Sequence, residues 1–200
     1  MKKIIMLGGL LAAVFILLSA LPREYGDTRE YRDFVKIKSR SPSVEKTESM
    51  GENLCSLSGG RLRFTDQEGN LLWQSNPYWY VEDFSIFDVD GDGQLDCLFS
   101  LWKSYSFFEG SGKEDSPEVK NHLFLYTLCH DRAKALWCSS NLPRPILEFS
   151  LEQGEKTPVS SGAVLRTMEG SYQAEGQKLP FTYLWQGWGF VEQDSNSQMR

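Results

Sequence analysis

The stretch VEDFSIFDVDGDGQLDCLFSLW, residues 81–102, holds two apolar runs joined by an acidic, glycine-containing loop. The runs at 81–87 and 95–102 have no helical period and are rich in aromatic and β-branched side chains, which predicts two strands. Aspartate and glycine in the loop are turn-forming residues. The stretch therefore predicts a β-hairpin. It is not an EF-hand, because no helices flank the loop and Phe99 stands where that motif needs a bidentate glutamate.

The loop places carboxylates at positions 1, 3, 5 and 9, on Asp88, Asp90, Asp92 and Asp96. The backbone carbonyl of Gln94 is a further oxygen that we expect to point inward. Hard oxygen donors suit Ca²⁺, which accepts six to eight of them in flexible geometry. Without a cation these carboxylates would repel one another. The spacing therefore predicts a calcium site, although aspartate and glycine also form ordinary acidic turns.

From Cys55 onward the rest of the chain shows the same pattern, in which short apolar runs alternate with turn residues. Large flat side chains favour pleated surfaces, and aromatic residues make up 13% of the chain, which supports β structure throughout. We predict strands near residues 61–65, 71–75, 79–87, 95–102, 122–129, 134–139, 145–151, 162–168, 180–185 and 188–192.

An internal repeat groups these strands. The segment 61–64 leads through a turn to Leu-Leu-Trp-Gln-Ser at 71–75, and the segment 122–125 leads through a turn to Ala-Leu-Trp-Cys-Ser at 135–139. A shorter third copy begins at Phe181. We therefore predict an all-β domain of two four-stranded antiparallel units plus a closing hairpin.

The hairpin loop Phe87–Asp96 resembles the calcium hairpin of FG-GAP and VCBS-type repeats, found in integrin α-subunit propellers and many bacterial surface proteins. The resemblance implies that Asp88, Asp90, Asp92, Asp96 and the Gln94 carbonyl bind Ca²⁺ between adjacent strands of a propeller blade. The corresponding region of the second repeat lacks this ligand set, and a closed propeller needs at least about four blades. The expected fold is a shortened, propeller-like domain.

The N-terminus indicates the compartment. Lys2 and Lys3 precede an uncharged apolar run, residues 4–21, which predicts a signal peptide or an uncleaved signal anchor forming a transmembrane helix. Residues 22–50 are polar and mixed in charge, as in a stalk or linker, and 51–200 form the predicted β domain. We expect the membrane as a partner through residues 4–21, with the domain outside the cell, or secreted if the signal is cleaved.

The net charge and the motifs of the sequence limit the functions that we expect. The formal net charge of −6 repels phosphate backbones, which argues against nucleic acid as a partner. No catalytic motif is evident, so we expect no enzyme but a calcium-binding module that binds or scaffolds at the cell envelope, with a protein or glycan partner. The alternative is an envelope enzyme acting on cell-wall or other polysaccharide, for which Glu109 and Glu169 form a conceivable carboxylate pair.

The sequence does not decide the role of two further groups of residues, the cysteines and two aromatic clusters. Four cysteines, Cys55, Cys97, Cys129 and Cys138, allow three disulfide connectivities or no bridge at all. Two aromatic clusters form either core packing or an exposed platform for sugars or a peptide. The candidate ligand-binding aromatics are Tyr78, Trp79, Tyr80, Trp185 and Trp188.

Overall fold

Three four-stranded antiparallel sheets make up the part of the chain that the computed structural model describes, namely residues 44–77, 79–105, 116–129, 132–157, 160–173 and 176–193. Each sheet is a meander of consecutive strands. The first holds β1 (Lys46–Met50), β2 (Asn53–Ser58), β3 (Arg61–Thr65) and β4 (Leu71–Gln74). The second holds β5 (Tyr80–Phe87), β6 (Asp96–Tyr105), β7 (Ser116–Cys129) and β8 (Arg132–Cys138). The third holds β9 (Ile146–Gln153), β10 (Ala163–Glu169), β11 (Leu179–Trp185) and β12 (Phe190–Glu192).

The second sheet lies between the other two and is buried on both faces. Side chains alternate across a strand, so Cys97 and Phe99 of β6 pack into a core shared with the first sheet, while Leu98 packs into a core shared with the third. On β7, Phe124 faces the first sheet and Leu125 the third. This double burial explains why the runs at 95–102 and 122–129 are almost continuously apolar.

The outer faces of the first and third sheets are largely polar. Thr47 and Arg63 are exposed on the first sheet, and Glu148 and Ser150 on the third. The third sheet also carries a surface ion pair, with Arg166 Nη2 2.6 Å from Glu152 Oε1. The described residues thus form a three-layer stack with solvent-facing sides.

The sequence repeat has a structural counterpart in all three sheets. The N–H of Ser75 donates to the carbonyl of Leu62 (2.8 Å), and the N–H of Ser139 donates to the carbonyl of Leu123 (2.9 Å). In both copies the serine hydroxyl oxygen accepts the N–H of the same leucine, at 3.1 and 3.0 Å. In the third sheet the N–H of Gln193 donates to the carbonyl of Thr182 (2.8 Å). The Trp-x-Ser landmark therefore marks the end of a fourth strand as it pairs back to the third.

The predicted all-β class is confirmed. The predicted division of the strands into two four-stranded units plus a closing hairpin is wrong, because the strands form three four-stranded sheets. The repeat landmarks begin at the third strand of each sheet, so the predicted units ran across sheet boundaries. The strands β1 and β2 were missed, and β1 lies within the stretch 22–50 predicted as a stalk. Its residues, KTESM, are mostly polar because one face of this edge strand is solvated.

The predicted signal segment at 1–21 and residues 22–43 lie outside the described residues. Within the residues that are described, no helix has the length and apolar character needed to cross a membrane.

Candidate metal site

The acidic loop connects β5 to β6 and is held by the hairpin as predicted. Phe87 and Asp96 are cross-strand partners at its base. The two oxygens of Asp88 accept the N–H groups of Gly91 (2.8 Å) and Gly93 (3.1 Å). Gly91 and Gly93 have φ of 80° and 89°, a left-handed conformation that glycine adopts without strain. The loop thus folds back on the side chain of its first aspartate.

Three of the predicted ligands come together. Asp88, Asp90 and Asp96 each present a carboxylate oxygen, and these oxygens all lie within 4.8 Å of one another. Asp92 does not belong to this group, and its carboxylate instead accepts the N–H of Gln94 at 2.8 Å. Of the four predicted aspartate ligands, Asp88, Asp90 and Asp96 therefore form the structural cluster.

Asp96 is the most buried residue of the cluster, with 1% of its surface exposed. Its Oδ2 accepts the N–H of Val89 at 3.0 Å, and its side chain also hydrogen-bonds Thr127 on the neighbouring strand. Burial, reinforced by the negative charges of Asp90 and Asp92, raises the pKa of Asp96 to about 7. Burial also raises the pKa of Asp90, with the charges of Asp92 and Asp88 adding to the effect. Both shifts have the sign expected of carboxyl groups that are buried beside other carboxylates.

The loop also contacts the third sheet, through residues that the sequence did not single out. The hydroxyl of Ser161, between β9 and β10, donates to the carbonyl of Val89. A methyl group on Gly91 would lie 3.0 Å from the Ser161 Cβ, so the two loops touch closely. Val89 itself is fully buried in the core between the second and third sheets. No local pattern could reveal this contact, because Ser161 lies some seventy residues beyond the loop.

The candidate ligand-binding aromatics do not form one exposed platform. Tyr80 and Trp185 are 1% and 3% exposed, so these two assignments are corrected to core packing. Trp79 is half-buried with its ring against Phe124 (centroids 5.1 Å apart), whereas Trp188 is 72% exposed. Tyr78 lies outside the described residues. The burial follows from the position of these rings on or beside strands that face another sheet.

Glu169, one member of the conceivable carboxylate pair, is 3% exposed, and both of its carboxylate oxygens accept hydrogen bonds. One oxygen accepts the Arg144 Nε–H (2.9 Å), and the other accepts the hydroxyls of Thr167 (3.0 Å) and Tyr183 (2.5 Å). Such a satisfied network stabilises packing between strands. Glu109 lies outside the described residues.

Comparison with protein-family models, with curated proteins and with solved structures finds no match to this chain.

Proposed function

We propose that this protein is an extracytoplasmic, membrane-tethered calcium-binding β module that acts in binding or scaffolding at the cell envelope. The observation that carries the proposal is the convergence of Asp88, Asp90 and Asp96 on one point at the base of a hairpin. Asp96 is the decisive residue, because its carboxylate is 1% exposed and lies beside the negative charges of Asp90 and Asp92, which a bound cation would compensate.

The spacing of the three oxygens is compatible with one bound cation, and the all-oxygen ligand set favours calcium. Calcium–oxygen distances are about 2.3–2.6 Å, so two ligands on opposite sides of one ion stand up to about 5 Å apart. Oxygens that all lie within 4.8 Å of one another therefore fit a single Ca²⁺. The remaining coordination positions are filled by backbone carbonyls and water, as Ca²⁺ tolerates. In this proposal the ion is structural and ties the hairpin loop to its own base.

The arrangement of the sheets supports a propeller-like domain related to the FG-GAP and VCBS-type repeats. The first strand of the second sheet makes most of the contacts between sheets: β5 touches β1, β2 and β3 of the first sheet and β9 of the third, and β4 touches β8. A propeller blade is a four-stranded sheet, and each of the three sheets is a four-stranded antiparallel meander. We infer three blade-like units that stack without closing a ring.

The placement outside the cell rests on the N-terminal sequence. Lys2 and Lys3 before the apolar run of residues 4–21 favour an anchor whose positive flank stays in the cytoplasm. The partner is a protein or glycan, and Trp188 is the candidate aromatic that the structure leaves available for one, at 72% exposed.

A calcium titration of two matched variants tests the site. Asp90→Asn removes one negative charge from the cluster and puts a neutral amide in place of the carboxylate. Asp66→Asn removes the same charge from the β3–β4 turn, where Asp66 accepts the N–H of Asn70 at 2.7 Å. By isothermal titration calorimetry we expect wild type and Asp66→Asn to bind one Ca²⁺ with a Kd of about 10⁻⁴–10⁻³ M, and Asp90→Asn to bind at least about tenfold more weakly.

Magnesium serves as the ion control, because it demands a near-ideal octahedron and retains its waters. Equal calcium affinity in all three proteins would refute the assignment of this cluster as the site.

A further inference from the structure

Two buried cysteines face each other across the interface of the first and second sheets. Cys55 lies on β2 and Cys97 on β6, and both side chains are 0% exposed within the same core cluster. Their Sγ atoms are 3.6 Å apart. A disulfide needs about 2.05 Å between the sulfurs, so a closure of about 1.5 Å, within reach of side-chain rotation, would join them.

We propose that Cys55 and Cys97 form a disulfide that fastens the first sheet to the second. The reaction is thiol–disulfide exchange with a disulfide-bearing oxidant, either a small molecule or an oxidoreductase. One cysteine thiolate attacks the oxidant and releases one of its sulfurs as a thiol. The second cysteine then attacks the mixed disulfide and releases the other. The two cysteines lose two electrons and two protons, and the oxidant is reduced to two thiols.

The remaining cysteines do not compete for this pairing. Cys129 is opposite Arg132 at the turn of the β7–β8 hairpin, whereas Cys138 is opposite Phe124 at its far end. Cys129 lies five positions beyond Phe124 on β7, or about 17 Å along the strand. Both cysteines are exposed, whereas Cys55 and Cys97 are fully buried. None of the three complete pairings of four cysteines fits the fold, because the one that joins Cys55 to Cys97 also joins Cys129 to Cys138. Cys55–Cys97 is the pair that the fold brings together, and Cys129 and Cys138 remain outside the bond.

The burial of Cys55 and Cys97 determines at which stage of folding the disulfide forms. Both side chains are buried among apolar neighbours, where a thiol is inert and an oxidant or reductant has no access. Exchange in the closed structure is therefore slow in both directions. The bond forms while the first sheet is still docking onto the second, and the folded core then shields it from reductants. It anchors β6, the strand that begins with Asp96, onto β2.

The test is a thiol count on the full-length chain, refolded with a mixture of reduced and oxidised glutathione, then denatured in acid and alkylated. We expect two alkylated residues, Cys129 and Cys138, and a peptide pair linked through Cys55 and Cys97 by mass spectrometry. The Cys129→Ser/Cys138→Ser variant changes only exposed positions and should show no alkylation until it is reduced.

Reduction should also lower the Tm, because the bond joins residues 42 positions apart and such loops stabilise by an amount worth on the order of 10 °C in a chain of this size. Four alkylated cysteines in the wild type, or two in the double variant before reduction, would show that the pair stays as packed thiols and would overturn the proposal. A linked peptide that contains Cys129 or Cys138 would overturn it as well.

Discussion

His122 is a buried histidine that the fold holds in its neutral form. It is 0% exposed in the second sheet, with Nδ1 3.3 Å from the carbonyl of Ser139. Its Nε2 is buried without a hydrogen-bond partner among the described residues. Burial, together with the positive charge of Lys103, lowers the pKa of His122 to about 4.

The pKa of His122 predicts a loss of stability in acid. The folded-state pKa of about 4 lies below the unfolded value of about 6.5, so the unfolded chain binds the proton more tightly. The stabilisation is complete above about pH 6.5 and is lost as the pH falls towards 4. Between pH 7 and pH 5 we expect the free energy of unfolding to fall by about 2 kcal/mol from this residue.

Urea denaturation at pH 7 and pH 5 measures the effect, with His122→Gln as the comparison because glutamine does not titrate. The pH-dependent loss should be about 2 kcal/mol smaller in His122→Gln. Identical losses in the two proteins would show that His122 is not held neutral.

At the scale of single residues, the sequence predicted four aspartates that converge in the loop, of which three do so, but not how buried they are. Asp88, Asp90 and Asp96 were identified by their spacing in one hairpin, which is local information. The burial of Asp96 arises because β6 lies between two other sheets, and Trp185 is buried because β11 faces the second sheet. Such facts depend on contacts between distant parts of the chain.

At the scale of elements, the β5–β6 loop is shaped by two glycines in different surroundings. Gly91 and Gly93 both have positive φ. A methyl group on Gly91 would meet Ser161 at 3.0 Å, whereas one on Gly93 would meet nothing within 4 Å. Comparing the same substitution at the two glycines therefore separates the destabilisation due to backbone strain from that due to contact with the third sheet.

Alanine at each position should reveal this difference in chemical denaturation. Gly93→Ala carries only the strain of a left-handed conformation, about 1 kcal/mol. Gly91→Ala carries the same strain and also presses on Ser161, so we expect a larger loss, about 2–3 kcal/mol. Adding Ser161→Gly should recover part of the extra loss in Gly91→Ala, as judged by a double-mutant cycle. Equal losses for the two alanine variants would contradict the close contact between the loops.

For the whole molecule, the sequence revealed the strands but not their division into sheets. The strands at 61–65, 71–74 and 80–87 were predicted nearly to the residue, since alternation and turn residues are local signals. Which strand begins a sheet depends on pairing, and Leu71–Gln74 pairs only with the strand before it. The polar edge strand Lys46–Met50 had no apolar signal to reveal it.

The central claim concerns a cation that stabilises this three-sheet stack through the β5–β6 loop. The most direct measurement is the thermal unfolding of the full-length chain at pH 8 in 10 mM CaCl₂, in 10 mM MgCl₂ and in EDTA. A Kd of about 10⁻⁴–10⁻³ M predicts a Tm about 5 °C higher in calcium than in EDTA, by mass action. Magnesium should produce a smaller rise, and Asp90→Asn should lose most of the calcium effect. Unfolding curves of the wild type that superimpose in calcium and in EDTA would contradict the account.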